Sequence, residues 1–330
     1  MRTSLPAFLF ALLIILVIGC KNDLQILAPY QDVTVVYGLL DQNDSIHYIR
    51  INKAYQTAGN AYTAATQYDS INYPAGTLTV QLQDYSNGAI INTITLDTTS
   101  SVMIMPGIFS FPYELLYYTK QTLNPNDQYN LVITNNKTKK VITGSTSLLP
   151  DIYLTSPSGY MQNNTPIDLS STTQFPTMIS WNGTGTDAAL YQLTLRFYYN
   201  EIDSVKKDTT NKYLDWVIFT LTSSGQTPVD FASEYFFQFV KESILPAIGN
   251  IKRVPLYIEI MFTTGSIDLN TYYQLSQPSL TVNQEKPFYT DLKNGVGIFT
   301  AKHTQYAHKT IGTNYVDSLV NIPGLNFKSH

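Results

Sequence analysis

Few side chains in this sequence could do chemistry, and they are scattered. There is one thiol, Cys20, at the end of an apolar N-terminal run. His47, His303 and His308 stand inside the chain and His330 ends it. His303 and His308 are five residues apart, which on a strand places them on opposite faces. The spacing therefore argues against a shared metal and for two exposed polar side chains. Asp41, Asn43 and Asp44 loosely resemble a calcium loop. A calcium loop offers six or more oxygens, a Gly at its bend and a closing Glu, so this segment reads as a plain turn. No His-Glu-x-x-His, cysteine pair, Gly-x-Ser-x-Gly or phosphate loop occurs. The expectation is a protein that is not an enzyme and uses no metal or cofactor.

The thiol is informative through its position. Arg2 precedes an apolar run over residues 5–18, interrupted only by Pro6. A spanning helix needs about 20 residues; this run has the length of a secretory signal's apolar part. Leu16-Val17-Ile18-Gly19-Cys20 resembles a bacterial lipobox. Gly19 admits the signal peptidase, and Cys20 supplies the sulfur that takes a diacylglycerol. The alternative is an ordinary signal peptide with an incidental cysteine. The lack of any other cysteine favours the lipobox, because Cys20 is then no remnant of a disulfide set. Residues 1–19 thus read as a signal peptide and 20–29 as the lipidated cysteine and a tether. Acyl chains contribute about 0.8 kcal/mol per buried methylene, and two lipid signals already anchor stably. Asp23 is a one-acid version of the acidic stretch that follows the cysteine in surface-exported lipoproteins. The expected location is the outer membrane, on its periplasmic face or at the cell surface.

Composition describes what must position these groups. Charged residues make up 13% of the chain, against about 25% in an average soluble domain. The formal charge of −4 becomes −5 once Arg2 is removed with the signal. Nucleic acid would want a basic face, and no basic run appears. The 25 Tyr and 15 Phe, with plentiful Thr, are a β composition.

Period-two alternation marks strands at 33–40, 46–51, 78–82, 90–96, 191–199 and 213–221. In the last, Trp216, Ile218 and Thr220 fall on one face, Val217 and Phe219 on the other. A strand pair is expected over 107–118, and 55–74 reads as a long loop. Residues 123–133 resemble the tyrosine corner of Ig-like and fibronectin-type sandwiches, in which a Tyr (here Tyr129) turns its hydroxyl onto upstream backbone. Trp181 reads as core. Phe236, Phe237, Phe239, Val240 and Ile244 fall at helical spacing behind Ser233, so a helix is expected there, ended by Pro246. A second short helix is expected behind Asp268 or Asn270. The division predicted is a β-sandwich domain over 30–149, a fibronectin-like β domain with one or two inserted helices over 150–309, and a loose tail over 310–330.

Taken together, these pieces resemble a family of Bacteroidota outer-membrane lipoproteins defined only by a domain of unknown function. The residues that carry the resemblance are the lipobox, Val35-Val-Tyr-Gly-Leu39, Tyr129-Asn-Leu-Val-Ile133 and, most tellingly, Lys293-Asn-Gly-Val-Gly-Ile-Phe299. The resemblance implies an accessory or surface-binding role beside a TonB-dependent outer-membrane transporter. It carries no catalytic residues.

Asp followed by Ser or Thr and then an aliphatic residue or Thr is the periplasmic O-glycosylation pattern in this group of bacteria. It occurs at Ser45, Ser70, Thr98, Ser204, Thr209 and Ser318. Composition alone predicts roughly one or two such sites, so they are candidate acceptors; turns also favour Asp beside Ser or Thr. The functional expectation is a lipid-anchored interaction or accessory subunit. The alternative is a glycan- or peptide-binding surface lipoprotein, with tyrosines of residues 55–74 or the Tyr198-Tyr199 pair as stacking platforms.

Overall fold

The computed structural model describes residues 31–57, 60–102, 113–156, 161–167, 178–182, 187–222, 226–228, 233–277 and 288–329. Gly19, Cys20 and the rest of the N-terminal segment lie outside the described residues. The described chain is mainly β, with several sheets and a few helices.

Alternation at a period of two builds the first half. β1 (Thr34–Leu40) and β2 (His47–Lys53) pair antiparallel across the polar turn. Val36, Leu40, Ile49 and Ile51 are buried. Residues 55–74 are not an open loop. α1 (Ala61–Ala65) and α2 (Tyr68–Ile71) form within them, and Ile71 and Tyr73 are buried. β3 (Leu78–Ser86) and β4 (Ala89–Thr95) are joined through Asn87 and Gly88, both at positive φ, as a two-residue hairpin turn requires. β5 (Asp97–Thr99), β6 (Leu116–Thr119), β7 (Gln128–Asn135) and β8 (Val141–Ser147) follow. Of the strand pair expected over 107–118, residues 107–112 lie outside the described residues. Tyr129 turns back as its motif predicts: its hydroxyl accepts the Asn124 N–H at 2.7 Å.

The second half contains β9 (Leu154–Ser156), β10 (Thr165–Ile167), β11 (Met178–Trp181), β12 (Ala188–Asp203), β13 (Asp208–Leu221) and β14 (Gln226–Pro228). α3 (Ser233–Ser243), β15 (Ile251–Ser266), α4 (Ile267–Ser276), β16 (Val296–Ile311) and α5 (Thr313–Val320) complete it. α3 buries Phe236 and Val240 on one stripe. Trp181 is core, stacked on Phe219 at 5.4 Å. The pairing of β12 with β13 steps from Leu193↔Phe219 to Thr194↔Val217. Ile218 is therefore the extra residue of a bulge. The bulge turns Phe219 onto the core side with Trp216, where simple alternation had put them on opposite faces.

Two further expectations change. α4 is capped by Ser266, whose hydroxyl accepts the Leu269 N–H at 3.1 Å, and not by Asp268 or Asn270. Residues 310–330 are not a loose tail. α5 buries Tyr315 and Leu319, and Leu325 and Phe327 are buried after it. Buried Arg253 holds this segment, donating to the Leu325 carbonyl at 2.7 Å while pairing with Glu201 at 2.9 Å. An eight-residue helix with two core contacts is too short to stand out from periodicity.

One sheet runs through both halves in the order β13-β12-β15-β16-β1-β2-β6-β5. A second sheet, β4-β3-β7-β8, packs on its β1–β2 part through one shared core, and β14-β11-β9 contributes Ile179 and Trp181 to the other core. β16 joins the halves. Its start pairs parallel with β1 (Val35↔Val296 to Leu40↔Ala301) and its remainder antiparallel with β15 (Gly265↔Lys302 to Tyr257↔Thr310). Phe299 is fully buried in the first core. It rests where two glycines leave room: a Cβ on Gly38 would stand 2.9 Å from its ring and one on Gly144 3.2 Å from its Cβ. Gly297, at φ +109, has no space for any side chain, since a Cβ would meet the Val36 carbonyl oxygen at 2.0 Å. The Lys293–Phe299 motif thus seats a distant strand in the N-terminal core.

Candidate functional site

The chemistry-bearing residues converge where the halves meet. Asp41 follows β1, Asp151 lies in the segment between the halves, and His303 sits on β16 where that strand passes from β1 to β15. His303 Nδ1 donates to Asp41 Oδ1 at 3.0 Å, and Nε2 donates to Asp151 Oδ1 at 2.7 Å. Both His303 and Asp41 are 1% exposed, whereas the Asp151 side chain is about half exposed. The Thr304 N–H donates to Asp41 Oδ2 at 2.9 Å and the Asn43 N–H to Oδ1 at 3.1 Å. Lys302 Nζ stands 3.7 Å from Asp41. The Tyr153 hydroxyl donates to Asp151 at 2.7 Å.

The titration behaviour follows from these contacts. Burial pulls the His303 imidazole down, but its bonds to Asp41 and Asp151 outweigh burial and raise it above its ordinary value. Burial pushes Asp41 up, and the bonds from His303 and the Asn43 N–H, with Lys302 nearby, hold it below. Asp151 is lowered first by the Tyr153 hydroxyl and then, against burial, by His303. The arrangement sets an imidazole between two carboxylates, which favours its protonated form. A general base needs a free ring nitrogen, and here neither is free.

The turn expected at residues 41–44 forms, with the Asp44 N–H donating to the Asp41 carbonyl at 3.1 Å. Its first carboxylate, however, is spent on the histidine. The expectation that His303 is an exposed polar side chain is overturned, because its two partners lie 262 and 152 residues away in sequence. His308 faces the other side of β16, half-buried, with its ring 4.1 Å from that of Tyr257. His47 is buried apart from both. Burial lowers it, against the nearby Asp44 carboxylate and the Gln121 backbone. Among the described residues no His, Cys, Asp or Glu group could hold a metal ion. No described helix is long and apolar enough to cross a membrane.

The outer face of β13, β12, β15 and β16 is a second candidate. Tyr213, Tyr198, Tyr257 and His308 form a row across the four strands, with ring centroids 5.8, 4.4 and 4.1 Å apart. Beside it, Arg196 forks onto Asp215 at 2.6 and 2.8 Å and lies 4.4 Å over the Tyr213 ring. The Tyr198 and Tyr257 rings stack on each other, which covers one face of each. Tyr199 is buried against Phe197 and Phe327. Tyr199 is therefore not a stacking platform.

A third feature is a cavity of about 240 Å³ beside residues 55–74, lined by Val35, Tyr37, Arg50, Asn52, Lys53 and Tyr55 among others. Arg50 lies 5.6 Å over the Tyr37 ring and 2.9 Å from Glu114, a fully buried carboxylate that burial pushes up.

The six candidate acceptor hydroxyls are dispersed. Ser45, Thr98, Ser204 and Thr209 are exposed, and Ser70 and Ser318 are half-buried. Ser318 already donates to the Asn314 carbonyl within α5.

No family model matches the chain, and no curated protein matches it. Among solved structures, the C-terminal globular domain of an oligosaccharyltransferase from Pyrococcus abyssi is similar at 13% identity and a TM-score of 0.21. The alignment covers 69% of this chain and 47% of that one, so this chain spans about half its length. A score that low carries no argument about fold or activity.

Proposed function

We propose that this chain is a non-catalytic, lipid-anchored outer-membrane protein acting as an interaction or accessory subunit of a transporter or surface complex. A TonB-dependent transporter is the partner class that the family resemblance implies. The scaffold is read as two Ig- or fibronectin-like sandwich units, supported by the Tyr129 corner and by sheets that share one core. Residues 16–20 support the anchor.

The outer sheet face carries the interaction reading. Tyr213, Val217 and Tyr306 are 54%, 49% and 48% exposed there, with Arg196 among them. Tyr and Arg are enriched where proteins meet, while most other charged side chains are depleted. The doubly bonded His303 supports the absence of catalysis. Purification of the tagged protein from its own outer membrane in mild detergent should bring down a transporter in stoichiometric amount. Arg196→Ala with Tyr213→Ala should lose it, and Cys20→Ser should release the protein from the membrane fraction. A solitary lipoprotein, or a complex indifferent to the double variant, refutes the reading.

The cavity favours a second reading, glycan or peptide binding, because Tyr37 and Tyr55 meet Asn52 and Lys53 there. Calorimetry against glycan and peptide panels, with Tyr37→Ala as control, separates the two.

A further inference from the structure

The far end of the second half carries the two most exposed large hydrophobic side chains among the described residues. Leu245 and Ile248, in the turn between α3 and β15, are 82% and 84% exposed, and Val205 at the tip of the β12–β13 hairpin is 69% exposed. These turns stand together: the Ser204 N–H donates to the Asn250 carbonyl at 3.3 Å, and the Ala247 N–H to the Gly324 carbonyl at 2.7 Å. Both are stiffened locally. Asp203 accepts the N–H groups of Val205 and Lys206, and Gly249 supplies a positive φ. Around the aliphatic side chains stand the exposed Lys206, Lys207, Lys252 and Lys328, against the acids Asp203 and Asp208. A chain of net charge −4 is thus locally positive at its apolar tip.

We propose that this tip docks into an anionic lipid surface, Leu245, Ile248 and Val205 entering the interface while the lysines meet lipid phosphates. Aliphatic side chains on a polar, lysine-flanked end suit a headgroup boundary. Protein interfaces favour aromatic side chains and arginine and are poor in lysine, and among the described residues this end has neither an exposed aromatic side chain nor an exposed arginine. The tip also lies at the opposite end of β16 from Thr34. From Val296 to Thr310, and then back along β15 from Tyr257 to Ile251, is roughly 60 Å at about 3.3 Å per residue. Residues 20–33 reach at most about 50 Å. Attachment at both ends therefore tilts the long strand toward the membrane plane instead of standing it upright.

The test uses the mature chain, residues 21–330, made without acyl chains, so it does not depend on lipidation at Cys20. It should co-sediment with vesicles of phosphatidylglycerol and phosphatidylethanolamine, more weakly at high salt, and not with phosphatidylcholine vesicles. Leu245→Ser with Ile248→Ser should cut the bound fraction by about tenfold or more, with thermal unfolding unchanged because both side chains are exposed. In Ile248→Trp, vesicles should shift the emission to the blue. No sedimentation, or equal sedimentation of the double variant, overturns the proposal. So does a concentration-dependent dimer that Ile248→Ser abolishes, which would make the tip a contact between copies.

Discussion

Removing the Phe299 ring should destabilise the N-terminal half from a position near the other end of the chain. The ring is fully buried between Gly38 and Gly144, which have no side chains to relax into the space. Burying a Phe removes about 150 Å² or more from water, worth about 4 kcal/mol at 25 cal/mol per Å². Phe→Ala substitutions in cores cost about 3–5 kcal/mol, a large share of a total near 5–15 kcal/mol. Urea unfolding followed by far-UV circular dichroism reads the whole chain. Trp181 and Trp216 both pack in the second core, so tryptophan fluorescence reads that half. Phe299→Ala should move the dichroism midpoint by the equivalent of about 4 kcal/mol. Phe288→Ala, at a ring 69% exposed in the same approach to β16, should move it by under about 0.5 kcal/mol. Residues 30–149 alone should fail to fold and should recover structure when a peptide of residues 288–302 is added. A Phe299→Ala loss below about 1 kcal/mol, or a stable 30–149 fragment, would refute the argument that β16 completes the first core.

Two other outcomes are expected. His303→Asn should cost about 3 kcal/mol, since it leaves Asp41 buried without its partner. Because His303 is raised and Asp41 and Asp151 are lowered, its contribution is full between the ordinary carboxylate and histidine values of 3.8 and 6.5. It fades as pH rises through the raised histidine value or falls through the lowered carboxylate values. The difference between wild type and variant across pH isolates it from His47, whose lowered value costs stability below 6.5. A pH-independent difference defeats the histidinium assignment. Intact mass of the native protein should exceed the acylated polypeptide by glycan increments, and Ser45→Ala, Thr98→Ala, Ser204→Ala and Thr209→Ala together should remove most of the excess. A mass equal to the acylated chain rules glycosylation out.

Local pattern made much of the scaffold legible. Leu78, Val80 and Leu82 alternate, so β3 could be read directly, and the spacing from Phe236 to Ile244 marks α3. Tyr129 announced its corner because its partner is only five residues away. The remainder depended on contacts that no local window contains. Whether Phe219 faced the core was decided by a bulge at Ile218, set by the pairing of β12 with β13. His303 looked like a solvated side chain because its carboxylates are contributed by the end of β1 and by the segment after β8. The glycines of Lys293–Phe299 were visible in sequence, but their reason lay in the Val36 carbonyl and in the two facing sheets that enclose Phe299. Sequence alone determined strand and helix periodicity and turn chemistry, which act over a few residues. Tertiary structure alone decided the two-carboxylate setting of His303, the parallel seat of β16 on β1 and the pole at which Leu245 and Ile248 stand, because each depends on groups that only folding brings together.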